Sequence, residues 1–213
     1  MKKTIMKKNA FTMLELVFAI VVIGILAALA IPRLDRDLRQ GAKDNLLSAI
    51  RHTQDLALVD NKTNPTDTDW QKKLWQIRFS LATDNLATFY TISSDVDGDG
   101  SVDKNETAID PVNGKYMYNF GGDTTIDDDE SPNIFIGKKY GIKNTTSFSG
   151  GCENAQHIAF DHLGRPYNGI GSATNTYDKY MTEDCIITFT FISDDIADLN
   201  ITIATETGYV SGN

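Results

Sequence analysis

Apolar and polar positions change rhythm twice along this chain. Residues 11–32, FTMLELVFAIVVIGILAALAIP, carry twenty apolar or small residues and one ionisable group, Glu15. At about 1.5 Å per helical residue, such a run can cross roughly 30 Å of hydrocarbon. Beyond Pro32 the apolar positions thin to a stripe three or four apart: Leu34, Leu38, Ala42, Leu46, Ile50, then Thr53 or Leu56 and Ala57. Arg36, Arg39, Lys43, Asp44, Arg51 and Asp55 fall on the other face, so the pattern predicts an amphipathic helix. The two stretches predict one helix from about Thr12 to Val59, on the order of 70 Å long, with Pro32 and Gly41 as its weak points.

After the polar run 62–67 the period becomes two. In 74–81, Trp75, Ile77, Phe79 and Leu81 alternate with Gln76, Arg78 and Ser80, and a short turn at 82–85 leads into 86–92, a predicted hairpin. Later strands are predicted at 157–160, 185–192 (CIITFTFI) and 199–205 (LNITIAT), with a last short one at 208–210. The Gly-, Asp- and Asn-rich middle, 95–151, predicts loops with little regular structure. The class is α+β: a long N-terminal helix packed on an antiparallel β-sheet head. The expected divisions are a leader at 1–10, a membrane helix at 11–34, its amphipathic continuation at 35–60 and a head at 61–213.

Charge orients this plan. Four lysines (Lys2, Lys3, Lys7, Lys8) precede the apolar run, whereas Arg33, Arg36 and Arg39 after it are interleaved with Asp35 and Asp37. That asymmetry favours the N-terminus inside and the bulk outside. The formal charge of −9 becomes −13 once the leader's four lysines are removed, which disfavours nucleic acid as the main partner. In an exported head the two cysteines, Cys152 and Cys185, read as one disulfide. A rival reading of the N-terminus is a secretory signal cut after Ala30, at Ala28-Leu29-Ala30. Glu15 and the length of the apolar run count against it.

The segment KKNA/FTMLELVFAIVVIGILAALAIP resembles the N-terminus of type IV prepilins and type II secretion pseudopilins. The resemblance implies that a membrane prepilin peptidase cuts between Ala10 and Phe11 and methylates the new amine. Ala10 stands where the family usually has Gly. Glu15 would be the fifth mature residue and would pair with the N-terminal amine of a neighbouring subunit during assembly. That gives a partner to a carboxylate whose burial at the centre of a span costs about 2.5–3.5 kcal/mol. Pro32 falls at the family's helix-kinking proline. More weakly, IAFDHLGRPY and ITIATETGYV resemble the C-terminal half of H-type minor pseudopilins and pilus-tip pilins. The implied protein is a non-enzymatic subunit, single-pass in a bacterial inner membrane. Its partners would be other pilins or pseudopilins and the inner-membrane assembly platform, in a secretion pseudopilus, a type IV pilus or a DNA-uptake system. A secreted calcium-binding module and an anchored hydrolase are the alternatives from other classes.

One motif belongs to the head. Residues 95–106, DVDGDGSVDKNE, fit D-x-[DN]-x-[DN]-G-x5-E without a mismatch. Ca²⁺ takes six to eight hard oxygens. Asp95, Asp97 and Asp99 offer carboxylates, Gly100 the sharp turn, Ser101 its backbone carbonyl, Asp103 a direct or water-mediated ligand, and Glu106 a bidentate closure. No helices are predicted on its flanks, so the expectation is a lone structural calcium loop. A second acidic run, Asp123 and 127–130, reads as a solvated loop. His52, His157 and His162 have no recognisable nucleophile beside them in sequence, and no GxSxG, HExxH or phosphate-binding glycine loop is present.

Overall fold

The computed structural model describes residues 12–84, 87–153, 156–174 and 177–213; side chains are described for all of these except 27–34 and 144–146. The first element, α1, is a single helix, Met13–Val59, unbroken at Pro32 and Gly41. The chain divides into two units, Met1–Asp37 and Leu38–Asn213.

The Leu38–Asn213 unit contains two four-stranded antiparallel sheets. The strands in chain order are β1 (Trp75–Leu81), β2 (Thr88–Ser93), β3 (Ile142–Gly150), β4 (His157–Phe160), β5 (Pro166–Asn168), β6 (Cys185–Phe191), β7 (Leu199–Ile203) and β8 (Val210–Gly212). The first sheet runs β2-β1-β4-β5 and the second β3-β6-β7-β8. Alternation puts Ile77 and Phe79 of β1 and Tyr90 and Ile92 of β2 into the core, with Ile187, Phe189 and Phe191 of β6 and Leu199, Ile201 and Ile203 of β7. Phe79 stands edge-on to both Tyr90 and Phe189, with ring centroids 6.2 and 5.4 Å away, and so joins the two sheets.

Ala42, Leu46, Ala49, Ile50 and Ala57 of α1 are buried in the same cluster, at the three-to-four spacing the sequence predicts. The polar face is also engaged. Arg39 donates to the carbonyls of Ala197 and Asp198 and to Asn213 Oδ1. Arg51 donates to Val210 O and Gln54 to Gly208 O, so helix and C-terminal strand are tied at several levels. Small residues allow close approach: a Cβ at Gly41 would lie 3.0 Å from the Tyr140 ring.

The middle of the chain departs from the expectation of loops. It contains a short helix α2 (Ile136–Tyr140) and the nine-residue strand β3. The sequence IKNTTSFSG conceals β3 because its apolar positions are few and its register against β6 shifts between Ile142 and Thr146. Pairing with the strongly apolar β6 supplies what local patterning lacks. The second acidic run is an exposed loop at Asp127, Asp128 and Asp129, as expected, and departs from a solvated loop at Glu130. Glu130 is buried, and its carboxylate accepts from the N–H groups of Phe120 and Asp127, while Asp129 pairs with Lys104 at 2.8 Å.

Cys152 and Cys185 form a disulfide with Cα atoms 5.1 Å apart, both fully buried. The adjoining Gly150 has φ +70°, and Cβ atoms at Gly150 or Gly151 would collide with the carbonyls of Asp184 and Glu183. The cross-link thus sits where two backbones touch. Replacing both cysteines with alanine is expected to cost about 2–5 kcal/mol, read as a lower urea midpoint of the Leu38–Asn213 unit. An unchanged midpoint would show that the bond constrains nothing that matters to the unfolded chain.

Candidate functional site

The start of α1 is built from a local rule. Thr12 precedes the first helical residue, and its Oγ1 accepts the N–H of Glu15 at 3.2 Å, an N-cap of the kind expected from a T-x-x-E sequence. Glu15 therefore lies in the first turn, where the positive end of the helix dipole favours a carboxylate. From Met13 to Leu26 it is the sole ionisable side chain, and every large apolar side chain in that stretch is exposed, from Val22 at 40% to Met13 at 85%. An apolar surface of this extent on all sides of a helix requires a lipid or protein covering. Among the described residues no helix is long and apolar enough to cross a membrane. Of the expected span 11–34, Phe11 and the side chains of 27–34 lie outside the described residues, as does Ala10.

The acidic loop leaves the end of β2. Ligand oxygens of Asp95, Asp97 and Asp99 lie within 4.8 Å of one another, an arrangement that could hold a metal ion. Backbone hydrogen bonds create it. The Asp95 carboxylate, itself buried, accepts from Gly98 N at 2.8 Å and Gly100 N at 3.0 Å. Gly98 and Gly100 take φ of +77° and +86°, a region that suits glycine. Asp97 accepts from Asp99 N, and Asp99 from the N–H and hydroxyl of Ser101, which hold its carboxyl below the ordinary value. Three acidic oxygens gathered this closely repel one another, which a hard cation relieves.

The remaining loop positions act differently. Glu106 reaches back across the loop; Oε1 accepts from Val96 N at 2.8 Å and Asp97 N at 3.3 Å, and Oε2 from Asp103 N at 3.1 Å. It thus staples the loop ends together. Oε2 keeps a further lone pair, whereas Oε1 already accepts two hydrogen bonds. Asp103 caps a single 3-10 turn, Lys104–Glu106, where a calcium-binding helix–loop–helix would start its second helix. Lys104 itself turns to Asp129, so the loop is anchored to the following acidic segment.

The sequence at 5–31 matches the model of the prokaryotic N-terminal methylation motif. The motif marks a type IV pilin/pseudopilin-like protein. Neither the curated proteins nor the solved structures compared with the chain give a match. The α+β arrangement, an N-terminal helix packed on antiparallel sheets, is the pilin-like one.

In this pilin-like chain the three histidines stay apart. His52 is on α1, near Asp110, a buried carboxylate. Burial works to raise the Asp110 pKa, yet hydrogen bonds from Ser131, Asn133 and Val112 N hold it below the ordinary value. His162 Nδ1 lies 3.0 Å from Thr63 Oγ1. Its neighbour Asp161 is fully buried and pairs with the Arg165 guanidinium at 2.6 Å, so the turn after β4 is a structural ion pair. None of the histidines is hydrogen-bonded to a serine or cysteine among the described residues.

His157, at the start of β4, accepts the N–H of Ile170 on Nε2 at 3.2 Å. Burial and then the Arg78 guanidinium push its pKa from 6.5 down to about 4. As pH falls below 6.5 the unfolded chain takes up a proton that the folded chain refuses until about pH 4. The stability His157 contributes is therefore complete above pH 6.5 and lost progressively toward pH 4, a linkage of roughly 3 kcal/mol. His157→Gln keeps an acceptor for Ile170 and removes the titration. It is expected to flatten that part of the unfolding free energy measured against pH; profiles that superimpose on the parent would show an ordinary, hydrated imidazole.

Proposed function

We propose that this chain is a membrane-anchored structural subunit, assembled into a type II secretion pseudopilus or a type IV pilus as a minor component and supporting protein secretion. The observation that carries the reading is the methylation motif at 5–31 running directly into α1, whose exposed apolar residues surround a single carboxylate. Leader 1–10 would be removed between Ala10 and Phe11, and the amine of Phe11 methylated. The apolar part of the helix would first lie in lipid. It would then pack against the same segment of other subunits as the assembly platform lifts the chain into a filament. Glu15 gives that transfer a direction, because its carboxylate gains a charge partner only when a neighbouring N-terminal amine is beside it. The elaborated, disulfide-closed head favours a minor subunit over one repeated along a filament.

Processing and assembly are tested together. Intact-mass and N-terminal peptide analysis of the protein from its native membrane is expected to find N-methylated Phe11. Glu15→Ala is expected to be cleaved equally well yet to be missing from purified filaments. A chain beginning at Ile31 would remove Glu15 and overturn the reading in favour of a secreted module. Normal incorporation of Glu15→Ala would remove the assembly role of the carboxylate.

The same reading makes loop 95–106 a structural Ca²⁺ site. The donors are hard oxygens on alternate residues, there is no sulfur or imidazole among them, and Gly100 turns the chain as the twelve-residue calcium loop requires. Calcium at about a hundred times its Kd should stabilise the Leu38–Asn213 unit by about 2.7 kcal/mol. The double substitution Asp97→Asn and Asp99→Asn should abolish that gain in thermal unfolding; an equal gain in the variant would place any bound ion elsewhere.

A further inference from the structure

A groove of about 500 Å³ lies over the face of the first sheet turned away from the core. The register defines its floor. Gln76 stands opposite Ser93, Arg78 opposite Thr91 and, on the other side, His157, and Ser80 opposite Phe89, so these side chains share one face. Four steps of strand, from Gln76 to Ser80, give the floor a length of about 13 Å. Phe89, whose ring is tilted against that of Phe135 with centroids 5.7 Å apart, closes one end. The acidic loop, through Asp95 and 98–102, forms the other, and Tyr118 stands in the wall. The volume is that of a ligand site.

Arg78 sets the chemistry. In this unit Arg39 and Arg51 donate to main-chain carbonyls and Arg165 to Asp161. Arg78 has no hydrogen bond or ion pair among the described residues, in a chain with 29 acidic and 20 basic side chains. Its guanidinium offers a planar fork suited to a carboxylate. The other cation at the groove, Lys72, is already paired with Asp69 at 2.6 Å. His157 is fixed by Ile170 with Nε2 as acceptor, which leaves Nδ1 to carry the proton as a neutral donor. Among the described residues the floor therefore presents one cation without an ion-pair partner, flanked by uncharged hydrogen-bonding groups.

We propose that this groove binds an extended ligand bearing carboxylates, anchored on Arg78 and assisted by the ion in the adjoining loop. The second part rests on the calcium reading: without a cation Asp95 and Asp99 repel an acidic ligand at that end, and a divalent ion offsets two of the loop's negative charges and weakens that repulsion. By linkage, ligand and cation then tighten each other.

The test is calorimetric titration of the full chain in detergent with two probes, tetraglutamate peptide and succinate, each with Ca²⁺ and with chelator present. Ca²⁺ is titrated alone as a separate arm. Arg78→Gln, exposed and without a partner, is expected to unfold like the parent and to bind the peptide about tenfold or more weakly, the loss of a charge-assisted bidentate contact. Peptide binding that exceeds succinate binding identifies an acidic chain segment as the occupant; equal binding identifies a free carboxylate. Equal affinity in Arg78→Gln, or no heat with either probe, overturns the proposal. If Ca²⁺ alone gives no heat while the peptide still binds through Arg78, the calcium reading fails and the anchoring role of Arg78 stands.

Discussion

The stripe Ala42, Leu46, Ala49, Ile50 and Ala57 is the contact on which the Leu38–Asn213 unit depends. Two antiparallel sheets each need an apolar face covered. The sheets meet through Phe79 and Phe189, and the helix stripe lies in the same cluster. Because the stripe residues are mostly alanine, the helix backbone comes close, and long polar side chains on its flanks reach main-chain carbonyls at the C-terminal end of the chain. Removing the stripe would expose inner faces of strands that lie more than a hundred residues apart in sequence, so helix and sheets stand or fall together.

The segment between β2 and α2 follows a different rule. It has few buried apolar residues, and its order comes from carboxylates that accept backbone N–H groups: Asp95, Glu106, Asp110 and Glu130 each close a loop in this way. Such charge-assisted bonds are stronger than neutral ones. An acidic chain can thus build structure from its own charge, and the proposed cation among Asp95, Asp97 and Asp99 would add to it.

The two units meet different environments in the proposed function. In the Met1–Asp37 unit, the exposed apolar side chains of residues 13–26 and the one carboxylate among them, Glu15, have meaning only against lipid or other helices. In Leu38–Asn213, charge and polarity face water, and the proposed sites are the acidic loop and a polar groove that share a boundary at Asp95 and Asp99. Assembly would thus be encoded in one unit and recognition in the other.

Local periodicity made much of this legible. The helix to Val59, the β1–β2 hairpin and the β6–β7 pair appear in the structure close to their predicted bounds, because side chains three to four or two apart report the face they share. The methylation motif and the pair Cys152 and Cys185 were equally plain in the sequence. What only the tertiary structure decided involves residues distant along the chain. The strand β3 is too polar to announce itself and exists through β6; β4 inserts beside β1 from about eighty residues away. Glu130 is buried by partners that its neighbours in sequence do not name, and among the described residues Arg78 is left without an ion-pair partner because neither of its cross-strand neighbours, Thr91 and His157, is an acid. Periodicity is a property of adjacent residues, whereas strand order, burial of charge and the walls of a groove are set by which distant segments come together.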